Sequence, residues 1–214
     1  MTAVPFSSLP AIAEQLHDEE IHVWRLDYRR QEGRTPLRHV LAAYLGIDVS
    51  EVVLIDGAHG RPQLAPWLDQ TLGFNWSHSG EHALIAVARG ITPGIDLERL
   101  RQRTRALAIS ERFFSHDEHA MLAALPGEDL AVNFLELWTA KEAVTKATGR
   151  GLAFGLDRLS IGRSVDRLTL QRLDGDDASA WQLHRLIPES SLVAALAWRG
   201  APRLIRLGAL AGGA

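Results

Sequence analysis

Apolar and polar residues alternate along Ile21-His-Val-Trp-Arg-Leu26, the period-2 pattern of a half-buried strand. The period lengthens over residues 34–45, where Leu37, Val40, Leu41, Tyr44 and Leu45 recur at i, i+3, i+4, i+7 and i+8. That spacing predicts a helix, and Gly46 stands where it would end. Residues 52–55 predict a short strand, and 57–66 are turn-rich around Gly60-Arg-Pro62. Residues 74–76 and 83–88 predict two strands separated by a Ser77-His-Ser-Gly80 loop, and 94–100 predict another, entered by Pro93. Arginines then dominate residues 99–105, where the pattern changes. Helices follow at 106–114 and 117–125, then a Pro126-Gly127 break. The strongest helix is 130–148, with Phe134, Leu137, Trp138 and Val144 on its apolar positions and Gly149 at its C-terminal cap. The remainder is β-rich, at 156–161, 167–173, 180–186, 192–198 and 203–207. Runs of strands with segregated helices predict an α+β fold. Each half shows a strand–helix–strands pattern without a clear sequence repeat.

A length of 214 residues suits one large domain or two small ones sharing an interface. The boundary is expected near residue 100, giving an N-terminal subdomain over 1–100 and a C-terminal one over 101–214. At 46% hydrophobic residues the chain can fill a core. A formal charge of −3 argues against a wholly basic nucleic-acid binder, and the absence of cysteine excludes disulfides and thiolate metal sites. No apolar stretch approaches the ~20 residues that span a bilayer, and no basic-then-apolar leader opens the chain. The expectation is a cytoplasmic protein with no membrane or nucleic-acid partner.

The chemistry begins at Gly94-Ile-Asp-Leu-Glu98. On a strand, Asp96 and Glu98 share one face and Ile95 and Leu97 the other. Two residues of strand separate the acids by roughly 6.6 Å. At an effective dielectric near 20 they repel by about 2.5 kcal/mol. A hard divalent cation between them would reverse that sign. An exposed strand edge bearing two ordinary acids is the alternative. On the long helix, Glu142 and Lys146 lie at i, i+4, which alone is the spacing of a surface ion pair. Its functional counterpart is a third carboxylate with a cation for phosphate. The Ser77-His78-Ser79 segment offers hydroxyl, imidazole and backbone donors to a phosphate, or is simply a polar turn. His116 and His119, with no cysteine or further matched histidine, read as helix-surface residues rather than a metal site.

Taken together, Gly60-Arg-Pro62, Phe74-Asn-Trp-Ser-His-Ser79, Gly94-Ile-Asp-Leu-Glu98, Arg112-Phe-Phe-Ser115 with Glu118, and Trp138-Thr-Ala-Lys-Glu-Ala-Val-Thr-Lys146 resemble the 4′-phosphopantetheinyl transferase superfamily. The likeness is to its longer, two-subdomain form that services synthase carrier proteins. The resemblance implies two similar α/β subdomains, each a small, mostly antiparallel sheet packed on a long helix, with the active site at their interface. It implies transfer of the 4′-phosphopantetheine of coenzyme A to a serine of an apo acyl or peptidyl carrier protein, releasing 3′,5′-ADP. Asp96, Glu98 and Glu142 would then hold Mg²⁺, and Lys146 would contact the pyrophosphate. Asp96, Glu142 and Lys146 would carry the catalysis. Ser77 and His78 would bind coenzyme A phosphates, Arg61 would sit near the nucleotide, and Arg34 and Thr35 would approach the 3′-phosphate. Trp138 is read as packing that fixes the helix, Glu118 would assist the base or support the ligands from behind, and Lys141 is left without a defined role. The basic segment the family often carries before Arg34 is reduced to Arg29-Arg30, and Pro93 stands where an apolar residue is more usual. Arg99, Arg101, Arg103 and Arg105 form either a solvated face or a docking patch for an acidic carrier. With both halves in one chain, a monomer is expected. The rivals are another magnesium-dependent phosphoryl-transfer enzyme and a non-catalytic coenzyme A or carrier-binding homologue.

Overall fold

The computed structural model describes residues 3–101, 104–164 and 167–211. In chain order its strands and α-helices are β1 (Ala3–Pro5), α1 (Leu9–Ala13), β2 (Glu20–Asp27), α2 (Thr35–Leu45), β3 (Leu54–Asp56), β4 (Pro62–Leu64), β5 (Leu72–Ser79) and β6 (His82–Arg89). They continue as β7 (Gly94–Arg99), α3 (Ala106–Phe113), α4 (His116–Ala123), α5 (Gly127–Thr148), β8 (Leu159–Arg163), β9 (Leu168–Leu173), β10 (Trp181–Leu186), β11 (Leu192–Arg199) and β12 (Leu204–Ala211). Local chemistry sets several of these ends. Pro36 sits in the first turn of α2, where its missing N–H costs nothing, and Gly46 closes the helix at φ 66°, ψ 31°. Gly149 closes α5 in the same left-handed way, at φ 72°. Ser115 and Glu118 form a reciprocal capping box at the start of α4.

The chain forms two compact units, Met1–Pro93 with Pro202–Ala214, and Gly94–Ala201. In the first, a five-stranded sheet runs in the order β1-β12-β2-β6-β5. Leu9, Leu37, Val40, Leu41 and Tyr44 of its helices pack on Trp24, Leu26, Phe74, Ile85 and Val87. In the second, β10-β11-β7 form an antiparallel sheet and β8-β9 a hairpin. There α5 buries Leu137, Ala140, Ala143 and Val144 together with Val193, Ala195 and Ala197. Among the described residues no helix is long and apolar enough to cross a membrane.

The α+β class expected from the sequence is what the structure shows, but the main sheets of the two units are unequal. The first is mixed, because β12 pairs in parallel with both β1 and β2. The division also differs from a boundary at residue 100. Strand β7 hydrogen-bonds to β11 through Gly94↔Ala197 to Arg99↔Leu192, which places it with the second unit. Residues 204–211 join the first unit's sheet instead. A third difference lies at residues 77–79. They extend β5 rather than forming a loop, pairing Ser77 with Leu84, His78 with Ala83 and Ser79 with His82, so the turn shrinks to Gly80-Glu81.

Candidate active site

Strand β7 and helix α5 build the acidic centre of the second unit. Alternation along β7 places Gly94, Asp96 and Glu98 on one face, while Ile95 and Leu97, 0% and 1% exposed, are buried on the other. The ladder partners of Gly94, Asp96 and Glu98, which are Ala197, Ala195 and Val193, belong to the core around α5. The acid-bearing face is therefore the one α5 covers. Contact is close because Gly94 has no side chain. A Cβ there would overlap the Ala143 carbonyl oxygen and the Ala147 backbone nitrogen.

This approach brings α5 side chains onto the strand. Lys146 Nζ donates to Asp96 Oδ1 at 2.7 Å and to the Ile95 carbonyl at 3.1 Å. Asp96 is 6% exposed and Glu142 9%. One oxygen of Glu142, Oε1, is buried with no hydrogen-bond partner. Burial, and then the negative charge of Asp96, push the Glu142 carboxyl up to about 7, with Glu98 adding to the rise and Lys146 opposing it. Both acids of β7 thus act on Glu142 across the β7–α5 contact. Among the described residues, no group of three potential ligands is already gathered as a metal site.

The sign of that shift gives a prediction for the protein without divalent cations. The folded chain keeps a proton on Glu142 that the unfolded chain releases near pH 4.5. Stability should therefore fall as pH rises from about 4.5 through 7, by about 3 kcal/mol in all. Urea midpoints measured in chelator at pH 5 and pH 8 test this. Glu142→Gln should abolish most of the difference, and an unchanged difference would remove Glu142 as its source.

Neighbouring Lys141 has a different environment. It is 0% exposed, and its ammonium donates to the carbonyls of Leu156 at 2.9 Å and Leu159 at 2.6 Å while pairing with Glu118 Oε2 at 2.7 Å. Burial lowers its pKa and the Glu118 charge opposes that. Glu118 Oε1 accepts from the Ile161 N–H, and Oε2 accepts from the Ser115 N–H and Oγ. These two residues form one buried junction between α4, α5 and the approach to β8. The Ser115-x-x-Glu118 capping signature was the available sequence signal. Trp138 lies in an aromatic stack, 6.0 Å from Phe134 and 6.3 Å from Phe114.

The residues expected to contact coenzyme A apart from Lys146 belong to the first unit. Arg34 precedes α2 and donates to Asp56 Oδ1 at 2.6 Å, and Thr35 begins that helix, exposed. Arg61 donates to the Phe74 carbonyl at 3.3 Å and lines a pocket of about 260 Å³ with Pro62, Leu64, Gln70, Phe74 and Thr92. Ser77 is buried and His78 exposed, on opposite faces of β5, and the His78 ring stacks on Tyr28 at 4.7 Å. In the second unit, His119 Nδ1 is 2.9 Å from Ser110 Oγ, a role local to α3 and α4. Arg99, Arg101 and Arg105 are exposed, and Arg103 lies outside the described residues.

The fold and this site define a class of α+β protein in which a long helix sets an acid and a lysine over a strand carrying two more acids. The sequence model of the 4′-phosphopantetheinyl transferase superfamily matches residues 92–197, the stretch holding both elements. Over 204 residues the chain is 35% identical to the 4′-phosphopantetheinyl transferase HetI of a Nostoc species, covering 92% of this chain and 84% of that one. It is 32% identical to the 4′-phosphopantetheinyl transferase psf-1 of Bacillus pumilus over 146 residues, 68% of this chain and 60% of the relative. The match thus spans about three fifths of the Bacillus protein's length. Among solved structures, the Thermotoga maritima holo-[acyl-carrier-protein] synthase is similar at a TM-score of 0.41 and 17% identity, over 50% of this chain and 62% of that one. The chain belongs to the 4′-phosphopantetheinyl transferase superfamily.

Proposed function

We propose that this chain transfers the 4′-phosphopantetheine of coenzyme A to a serine hydroxyl of an apo acyl or peptidyl carrier protein, releasing 3′,5′-ADP, with Mg²⁺ as the metal. The observation that carries the reading is the bare, buried Glu142 carboxylate oxygen, set in the field of Asp96 and Glu98 with Lys146 alongside. Three hard oxygen donors, one of them lacking any partner, fit magnesium chemistry, so Asp96, Glu98 and Glu142 are the residues that would hold it. When bound, the ion supplies positive charge against the coenzyme A pyrophosphate.

The chain's own residues account for the remaining needs of the reaction. The serine Oγ forms a bond to the phosphorus that bears the pantetheine arm, and the bond from that phosphorus to the 3′,5′-ADP oxygen breaks. Lys146 is the cation placed for the charge that collects on the leaving oxygen. Glu142 accepts the serine proton, directly or through one water. Arg61, with its pocket of about 260 Å³, is assigned to the nucleotide. Ser77 and His78 are assigned to the coenzyme A phosphates, and Arg34 and Thr35 to the 3′-phosphate. The carrier's acidic surface is assigned to residues 99–105. Exposed Arg99, Arg101 and Arg105 support that docking face, which exposed Leu107 and Phe113 of α3 extend with apolar area.

Incubating the chain with coenzyme A, Mg²⁺ and a panel of apo-carriers should add the mass of one phosphopantetheine to at least one of them. Release of 3′,5′-ADP should require that carrier and its serine. Nucleotide release without a carrier would replace this reading with a hydrolase, and coenzyme A binding without transfer would replace it with a binding homologue.

A further inference from the structure

The buried Lys141–Glu118 junction touches no candidate substrate-binding residue by any contact described above, yet Lys141 stands next to Glu142 on α5. We infer that Lys141, held by Glu118, is a positioning residue: it fixes the rotation of α5 about its axis and so aims Glu142 at Asp96 and Glu98. The inference rests on the assignment of those three acids as the metal centre.

The junction has the geometry of a rotational lock. An ammonium has three donors, and here three acceptors surround it at 2.6–2.9 Å: the carbonyls of Leu156 and Leu159 and the Glu118 carboxylate. Two of those acceptors are backbone atoms, which do not follow a helix when it turns. Glu118 is itself fixed by the Ile161 N–H at 2.8 Å and by Ser115 at 2.8 Å. Apolar packing around α5 resists rotation less sharply, because Leu137, Ala140 and Ala143 meet largely aliphatic neighbours whose attraction is non-directional.

Stability gives a poor account of a lysine here. Removing two charges from water costs several kcal/mol per ion, and an apolar pair of similar volume often serves as well or better. Precision gives a better account. A helix side-chain tip lies roughly 5–6 Å from the axis, so a rotation of about 10° moves it by about 1 Å. A misplacement of that size can cost about 10²-fold in rate.

The test uses the full chain carrying Lys141→Met, Glu118→Gln or both, each checked by circular dichroism and urea titration to be folded at the assay temperature. Mn²⁺ serves as the probe, its dissociation constant read by electron paramagnetic resonance in the presence of coenzyme A. Lys141→Met should weaken Mn²⁺ binding at least about 10-fold and lower kcat about 100-fold, leaving KM for coenzyme A within about 2-fold. Glu118→Gln should show the same split more weakly. The double variant leaves no buried charge from the pair and should regain urea resistance without regaining Mn²⁺ affinity. That combination separates aim from stability, and if Lys141→Met does not fold, Glu118→Gln and the double variant still decide. Folded variants with wild-type Mn²⁺ affinity, or recovery of affinity in step with stability, would overturn the inference, as would a wild-type chain that binds no Mn²⁺. Wild-type Mn²⁺ binding without transfer to any carrier would instead count against the proposed reaction and leave the Mn²⁺ comparison to decide the role of Lys141.

Discussion

Glu142→Gln should slow transfer to the carrier by about 10³-fold or more while coenzyme A still binds within a few-fold of wild type. Glutamine keeps the shape of the side chain, so the helix packing around residue 142 is preserved. What it removes is a charge and a basic oxygen. Loss of a positioned general base costs about 10²–10⁴ in rate. Loss of one anionic donor from a magnesium site adds to that by weakening the metal. Binding of coenzyme A survives because Arg61, Ser77, His78, Arg34 and Thr35, the residues assigned to it, lie in the other unit. Single-turnover transfer and calorimetric titration of coenzyme A measure the two quantities separately. Wild-type turnover in this variant would dismiss Glu142 both as base and as necessary ligand.

Gly94→Ala should lower the unfolding free energy by about 3 kcal/mol, the upper end of what overpacking a tight site usually costs. The added methyl meets the Ala143 carbonyl oxygen and the Ala147 backbone nitrogen. Those are main-chain atoms, so no change of side-chain rotamer relieves the overlap. Either β7 or α5 has to withdraw, and withdrawal lengthens the 2.7 Å link between Lys146 and Asp96. Stability and transfer activity should therefore fall together. Gly127→Ala is the control, since a methyl there at the start of α5 meets nothing within 4 Å and alanine is the better helix former. Urea midpoints of the two variants should differ clearly, and equal midpoints would mean the β7–α5 contact is looser than the structure indicates.

Local patterns in the sequence carried much of this architecture. Periodicity and a terminal glycine marked α2 and α5 within a few residues of their ends. The alternation of Gly94-Ile-Asp-Leu-Glu98 indicated that its two acids share a face. What the sequence withheld depends on contacts between distant residues. Ser77, His78 and Ser79 are residue types typical of turns, and they become strand because β6 supplies a partner at each position. Nothing in residues 204–211 specifies that they lie between β1 and β2 in parallel. Lys141 has no defined role in the sequence, and its burial shows only when residues 156 and 159 bring their carbonyls to it. Gly94 reads as the start of a strand, and its value as a clearance for the helix appears only when α5 is laid against it.

The placement of β12 has a consequence for how the polypeptide is made. The ribosome completes all of residues 94–201 before it adds the strand that sits between β1 and β2. Until then β2 presents an open hydrogen-bonding edge, the kind of surface on which a nascent chain pairs wrongly or recruits a chaperone. The unit translated first is thus the one finished last.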